Sequence, residues 1–166
     1  MLAASMSTGF VRPLHAACAV GAGLVAGVYF AFSTFVMRGL RDVPPANGMA
    51  SMQTINRAAP NPLFVIALVG TGLGCVVLGI VAGTRWSDAP APWAAAGAGL
   101  YVVSLVITFA VHIPCNDALE LVDPTSPGAA GRWSEYLSEW VPWNHVRTVT
   151  SLAGAVAMTV GLVRRV

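Results

Sequence analysis

Arg147 is the residue with the most chemistry to explain. It stands at the edge of the last charge-free run of the chain, 148–163, which has only 16 residues. A helix that crosses a bilayer there must extend back through Arg147 and His145, because a crossing needs about 20 residues. A guanidinium stays charged, and at helix-centre depth it costs about 2.5–3.5 kcal/mol. Near the edge the cost falls as the side chain snorkels to the interface. One reading is such an anchor. The other is an inward arginine that pairs with a carboxylate or holds an anionic ligand, and Thr148 and Ser151, one turn deeper, favour it.

His145 begins the span that such an extension makes, the fourth, and His112 lies at the end of the third, which puts both near one membrane face with Asn116, Asp117 and Asn144. There an imidazole can serve as base, proton relay or metal ligand, or simply as a hydrogen-bonded surface group. A metal site would recruit His112, His145, Asp117 and Glu135 or Glu139, and haem could be held between the two histidines. No HxxH, HExxH or ExxH spacing accompanies them, so no cofactor and no metal is expected. Trp143 and Asn144, between Pro142 and the span, could wall a pocket for a planar ligand, whereas Trp133 and Trp140 suit an interfacial belt. Tyr29 and Ser33 approach the same face from the first run. Asn56 and Asn61 offer amides beside it, although capping alone accounts for Asn61. His15 lies at the opposite face and reads as interfacial.

The elements that must position these residues follow from composition. Of 166 residues, 56% are hydrophobic and 10% charged, with a mean hydropathy of +0.70. Ordinary soluble domains have about 25% charged residues, so a soluble enzyme is excluded. All nine cations are arginine, the net charge is +2, and no basic stripe exists to follow a phosphate backbone, which excludes nucleic-acid binding. Cys18, Cys75 and Cys115 are scattered and form neither a disulfide framework nor a CxxC knuckle. The runs 13–37, 58–84 and 89–116 lack Asp, Glu, Lys and Arg. With the fourth run they predict one membrane domain over 1–166, an all-α four-helix bundle spanning at 14–36, 62–83, 93–113 and 145–163. The first run lacks a basic n-region and is read as a retained helix. Asn61-Pro62 reads as an N-cap and first turn. Pro114 is expected to stop the third span and Pro142 to separate the fourth from what precedes it. Gly23 with Gly27, Gly70 with Gly74, and Gly79 with Gly83 have the spacing of close helix contacts.

Four crossings place the segments 37–61 and 114–144 on one side, opposite the termini. Both read as amphipathic. Over 47–59, Met49, Met52 and Ile55 share a face, with Gln53, Asn56 and Arg57 on another. Over 127–141, Trp133, Tyr136, Leu137 and Trp140 form a stripe. Two short interfacial helices are therefore expected on this face, and a site is expected to open there. Four arginines on the terminal side (Arg12, Arg85, Arg164, Arg165) face five on the other, so basic residues hardly orient the protein. The terminal ones share their side with a single acid, Asp88, and the expectation is an inner-membrane protein with cytoplasmic termini.

Four segments together carry a family resemblance: GVYFAFSTFVMRGL in the first span, MASMQTINRAAPNPLF leading into the second, VHIPCNDAL after the third, and WxxYxxxWxxWNHVRT opening the fourth. In this combination the chain resembles the anthrone oxygenase-like membrane family over about residues 20–163. The resemblance implies a membrane-embedded bundle and oxidation of a phenolic or polycyclic aromatic substrate by dioxygen without a cofactor. Asn56, Asn61, Asn116, Trp143, Asn144, His145, Arg147 and Thr148 match its motifs by position. The expected chemistry has His145 or His112 remove a proton while Arg147, Asn116 and Asn144 stabilise the oxyanion. Asn56, Asn61, Trp143, Asn144, Thr148 and Tyr29 would bind substrate. The expected partners are the lipid bilayer and an apolar aromatic or lipid-like molecule, with a homo-oligomer compatible with the glycine-rich spans. The competing reading is a non-catalytic bundle that binds a lipid or quinone-like ligand, or a subunit of a membrane complex.

Overall fold

The computed structural model describes the backbone of residues 2–164 and the side chains of 9–164. Arg165, counted above on the terminal side, lies outside them. The described residues are helical apart from short turns, with no strand among them. Four helices are long and apolar enough to cross a membrane: α1 (Gly9–Asp42), α3 (Pro62–Thr84), α4 (Ala91–Glu120) and α5 (Ala129–Val163). The chain is thus an integral membrane protein. The short amphipathic α2 (Pro45–Ala58) links α1 to α3.

α5 packs against α1 and α4, and α3 packs against the same two, so the spans form a ring in the order α1–α3–α4–α5. Leu24, Leu63, Ile66, Leu73, Val106 and Val149 point outward and are exposed. Apolar side chains facing outward all round are what a lipid solvent requires. α4 and α5 cross backbone against backbone at Gly97 and Gly154. A Cβ on Gly154 would lie 2.9 Å from the Gly97 carbonyl oxygen, and one on Gly97 would lie 2.7 Å from that of Gly154. Backbones meet directly there, which only glycine permits. The glycine pairs singled out by spacing are looser: a Cβ on Gly27 or Gly83 would meet nothing within 4 Å, and one on Gly23 would meet Ala155 at 4.0 Å. Gly74, against the Cys18 sulfur, is the exception among them.

Two prolines behave differently from expectation. α4 continues through Pro114 to Glu120, and α5 continues through Pro142 as a single 35-residue helix. The Pro114 ring would clash with the carbonyl of Ala110, but Ala110 lies in a π-helical turn, Thr108–His112, where the hydrogen-bond ladder has already shifted. Pro142 removes one donor, a loss that spanning helices tolerate when neighbours pack around them. The expected second interfacial helix over 127–141 is therefore the first third of α5, and Asn144 lies mid-helix. Gly128, with φ 88°, begins α5 in a left-handed turn that glycine adopts without strain. α2 matches its expected position. Gln53, however, is buried rather than on the outer face, and its Nε2 donates to the carbonyls of Leu119 (2.9 Å) and Val122 (2.8 Å). It ties α2 to the end of α4.

Candidate functional site

The polar residues of α4 recur every fourth position: Ser104, Thr108, His112, Asn116. In an α-helix each residue turns about 100°, so three such steps drift by about 120° and would carry the stripe off its face. The π-turn at Thr108–His112 inserts one residue and absorbs most of that drift. The stripe stays on the inner face as a result. α1 does the same with Tyr29 and Ser33, next to a π-turn at Phe32–Val36. α5 has no π-turn and places Asn144, Arg147, Thr148 and Ser151 inward at ordinary α-helical spacing.

These three stripes meet at Arg147, which is 5% exposed. Its Nη2 donates to Asn144 Oδ1 at 2.8 Å and its Nη1 to Thr108 Oγ1 at 3.2 Å. The guanidinium carbon lies 4.1 Å from the centroid of the Tyr29 ring and 5.4 Å from that of Trp140. Asn144 is fully buried, and its Nδ2 donates to the Tyr29 carbonyl (2.9 Å) and Ser33 Oγ (2.8 Å). The Thr148 hydroxyl donates to the Asn144 carbonyl, which leaves the Ser33 hydroxyl to donate to Thr148 Oγ1 at 2.9 Å. Likewise Thr108 donates to the Ser104 carbonyl, so Tyr29 donates its hydroxyl to Thr108 Oγ1 at 3.1 Å. Each proton position follows from the donors and acceptors available. Ser104 and Ser151 close the inner end at 2.7 Å.

Above the arginine, Trp140 and His112 form a second tier. Their rings meet edge to face, with centroids 4.8 Å apart. His112 is 1% exposed, and neither ring nitrogen has a hydrogen-bond partner of good geometry. The carbonyls of Ile107 and Trp140 are its polar neighbours. Asn116 Oδ1 accepts from the Tyr136 hydroxyl (2.8 Å) and from Trp140 Nε1 (3.0 Å). The Asn56 amide stands beside Tyr136. Trp133, Tyr136 and Trp140 stack in sequence, with centroids 5.5 and 6.2 Å apart. Trp133 also lines a surface groove of about 410 Å³ with Arg41, Pro45, Ser134 and Leu137. An aromatic ladder thus runs from that groove to the arginine.

The structure brings together Arg147, Asn144, Thr148, Tyr29 and His112, with Asn116 and Asn56 one tier out. It does not bring in His145 or Trp143, which face outward on α5 and are exposed. Trp143 precedes Asn144 and His145 follows it, each about 100° around the helix, and the rotation that buries Asn144 and Arg147 turns both away. Asn61 caps α3, accepting from the Phe64 amide at 3.0 Å, and is exposed. No carboxylate pairs with Arg147 among the described residues, where Arg57–Glu120 and Arg132–Glu135 are exposed surface pairs. No three His, Cys, Asp or Glu side chains gather as a metal-binding group among them either, and the outward His145 does not face His112 for shared haem ligation. The sequence reading missed Thr108 and Ser104 and gave Trp140 and Tyr136 only an interfacial part. The four-residue polar stripe in α4 was the signal that could have found the first two.

The family model described as anthrone oxygenase matches residues 49–157. The chain belongs to this family. The matched span runs from the buried Met49 of α2 to α5, and so contains His112, Asn116, Trp140, Asn144 and Arg147 but not Tyr29 or Ser33. No curated protein and no solved structure matches the chain.

Proposed function

From this membership, we propose that the protein is a membrane-embedded oxygenase that uses dioxygen to convert the methylene of an anthrone-like phenolic polycycle into a carbonyl, without a cofactor. The observation that carries this reading is a buried arginine with neutral partners only, beside a buried histidine whose nitrogens make no well-aligned hydrogen bond. An arginine so placed is preorganised for an oxyanion, and low dielectric strengthens the contact.

The substrate reaches the site from the bilayer side along the groove at Trp133 and stacks against the aromatic ladder. His112 takes the proton from the activated methylene, and the enolate oxygen that forms lies at Arg147, with Asn144 and Thr108 holding the guanidinium in place. The electron-rich enolate carbon transfers one electron to dioxygen, and the two radicals combine into a carbon-bound peroxide. His112 returns its proton to the peroxide. Loss of the second methylene proton with cleavage of the O–O bond then gives the ketone and water. Carbon loses four electrons and one molecule of dioxygen gains them. The protein is placed in the inner membrane with both termini cytoplasmic, so that the site opens on the opposite face. Asn116 acts through Tyr136 and Trp140 as a positioning residue.

The test is oxygen consumption by detergent-purified protein given an anthrone. The wild type should consume oxygen and form the quinone. Arg147→Gln and His112→Phe should each lose at least about 100-fold in kcat/KM. Normal turnover by a folded Arg147→Gln protein would reject the assignment, and a ligand that binds without being turned over by the wild type would favour a binding bundle.

A further inference from the structure

We infer that in the resting protein Arg147 and His112 together hold a small monovalent inorganic anion of the halide class against the Trp140 ring. The argument begins with charge. Arg147 is 5% exposed, and the groups that it meets are an amide oxygen, a hydroxyl and two aromatic faces. Neutral acceptors satisfy donors but leave the positive charge in place, and an uncompensated buried charge is costly. The guanidinium Nε is buried and makes no hydrogen bond. A neutral imidazole carries one N–H, and the nitrogens of His112, near the carbonyls of Ile107 and Trp140, make no well-aligned hydrogen bond. Two orphan donors and one net positive charge therefore border the same Trp140 ring, whose own N–H is committed to Asn116. One net positive charge balances a monovalent ion, whereas a divalent oxyanion would bring excess negative charge and need more donors. The binding claim does not depend on the oxygenase reading. Its consequence for turnover does: an anion in this place occupies the position of the enolate oxygen.

The experiment is equilibrium binding of radioactive chloride to the full-length protein in detergent. The wild type should bind one ion per chain, saturably. Arg147→Gln should abolish binding, and His112→Phe should weaken it by about tenfold or more, as the loss of a hydrogen bond to a charged group implies. Arg12→Gln, at an exposed arginine near the opposite end of the first span, should leave it unchanged. If Arg147→Gln fails to fold, His112→Phe decides in its place. No saturable binding by the wild type would mean that water satisfies the two donors, and binding by folded Arg147→Gln equal to wild type would place the ion elsewhere. Either result overturns the inference. With an active preparation, chloride should raise KM for an anthrone and leave kcat alone. Saturable chloride binding by a protein that turns over no anthrone would uphold the anion site while the oxygenase reading fails.

Discussion

The two halves of the bundle are built from different materials. Towards the termini the core is Cys18, Ala22, Val25, Cys75, Leu78, Ala94, Ala98 and Met158, closed by the backbone contact at Gly97 and Gly154. His15, expected at the interface, is buried there beside Gly161. Beneath α2 the core is Met37, Met49, Met52, Leu119, Trp133, Tyr136 and Trp140, built over a buried cation and a buried imidazole. Small residues let helices approach to a fixed distance and resist rearrangement. Methionine and stacked aromatics fill irregular space and re-pack around a guest. The first half therefore reads as the part that holds the helices together, and the second as the part arranged around a ligand. The π-turns of α1 and α4 lie beside the arginine, where they hold the polar stripes on the inner face.

The sharpest way to break this contrast is to remove the charge. Arg147→Met should lower kcat/KM by at least about 100-fold. It should also leave the thermal midpoint unchanged or raise it, because replacing a buried ionic group with an apolar one of similar volume is often neutral or stabilising by about 1–4 kcal/mol. A variant that loses activity because it no longer folds would make Arg147 a structural residue and erase the distinction. The measurement pairs oxygen uptake with denaturation on the same preparation.

Substitutions in the supports should act in the opposite sense. Gln53→Leu removes both hydrogen bonds from α2 to the end of α4 and leaves the carbonyls of Leu119 and Val122 without that donor. A cost of about 1–3 kcal/mol follows, with faster hydrogen exchange across α2 and residues 119–122 than in α3. Unchanged exchange in α2 would mean that its methionines alone hold it down. At the other end, Gly154→Ala puts a methyl group 2.9 Å from the Gly97 carbonyl oxygen. Overpacking of this kind costs about 1–3 kcal/mol. The protein that remains folded should keep the wild-type KM, and a changed KM would show that the two halves are coupled.

The same contrast explains what could be read from the sequence. Charge-free runs mark the four spans because a bilayer penalises charge at every position, a constraint that acts residue by residue. Asn61-Pro62 is equally local and marks the start of α3 where the structure has it. Pro114 and Pro142 misled because their effect depends on what packs around the helix and on a π-turn upstream, neither of which a dipeptide reveals. Arg147 was legible as an inward residue from its neighbours Thr148 and Ser151. His145 was not separable from His112 by position along the chain. Both lie at the ends of spans, and only the rotation of α5, fixed by the burial of Asn144 and Arg147, turns His145 outward. The partners Thr108 and Tyr29 sit on other helices, so their meeting with Arg147 is a product of the ring order α1–α3–α4–α5.

The smallest effect separates two asparagines with similar sequence surroundings. Asn61 precedes Pro62 at the membrane face and Asn144 follows Trp143 at the same face, and both match the family pattern. Asn61 is exposed and accepts the Phe64 amide, which makes it an N-cap. Asn144 is buried, accepts from Arg147 and donates to α1. Asn61→Ala should therefore cost about 1 kcal/mol of stability, the usual value of such a cap. It should leave KM and kcat for an anthrone at their wild-type values once the protein is folded. Asn61→Asp, which keeps the accepting oxygen, should recover most of that loss. Should Asn61→Ala instead raise KM at unchanged stability, the ligand must reach the start of α3. The half of the bundle arranged around it would then extend beyond the ladder of Trp133, Tyr136 and Trp140.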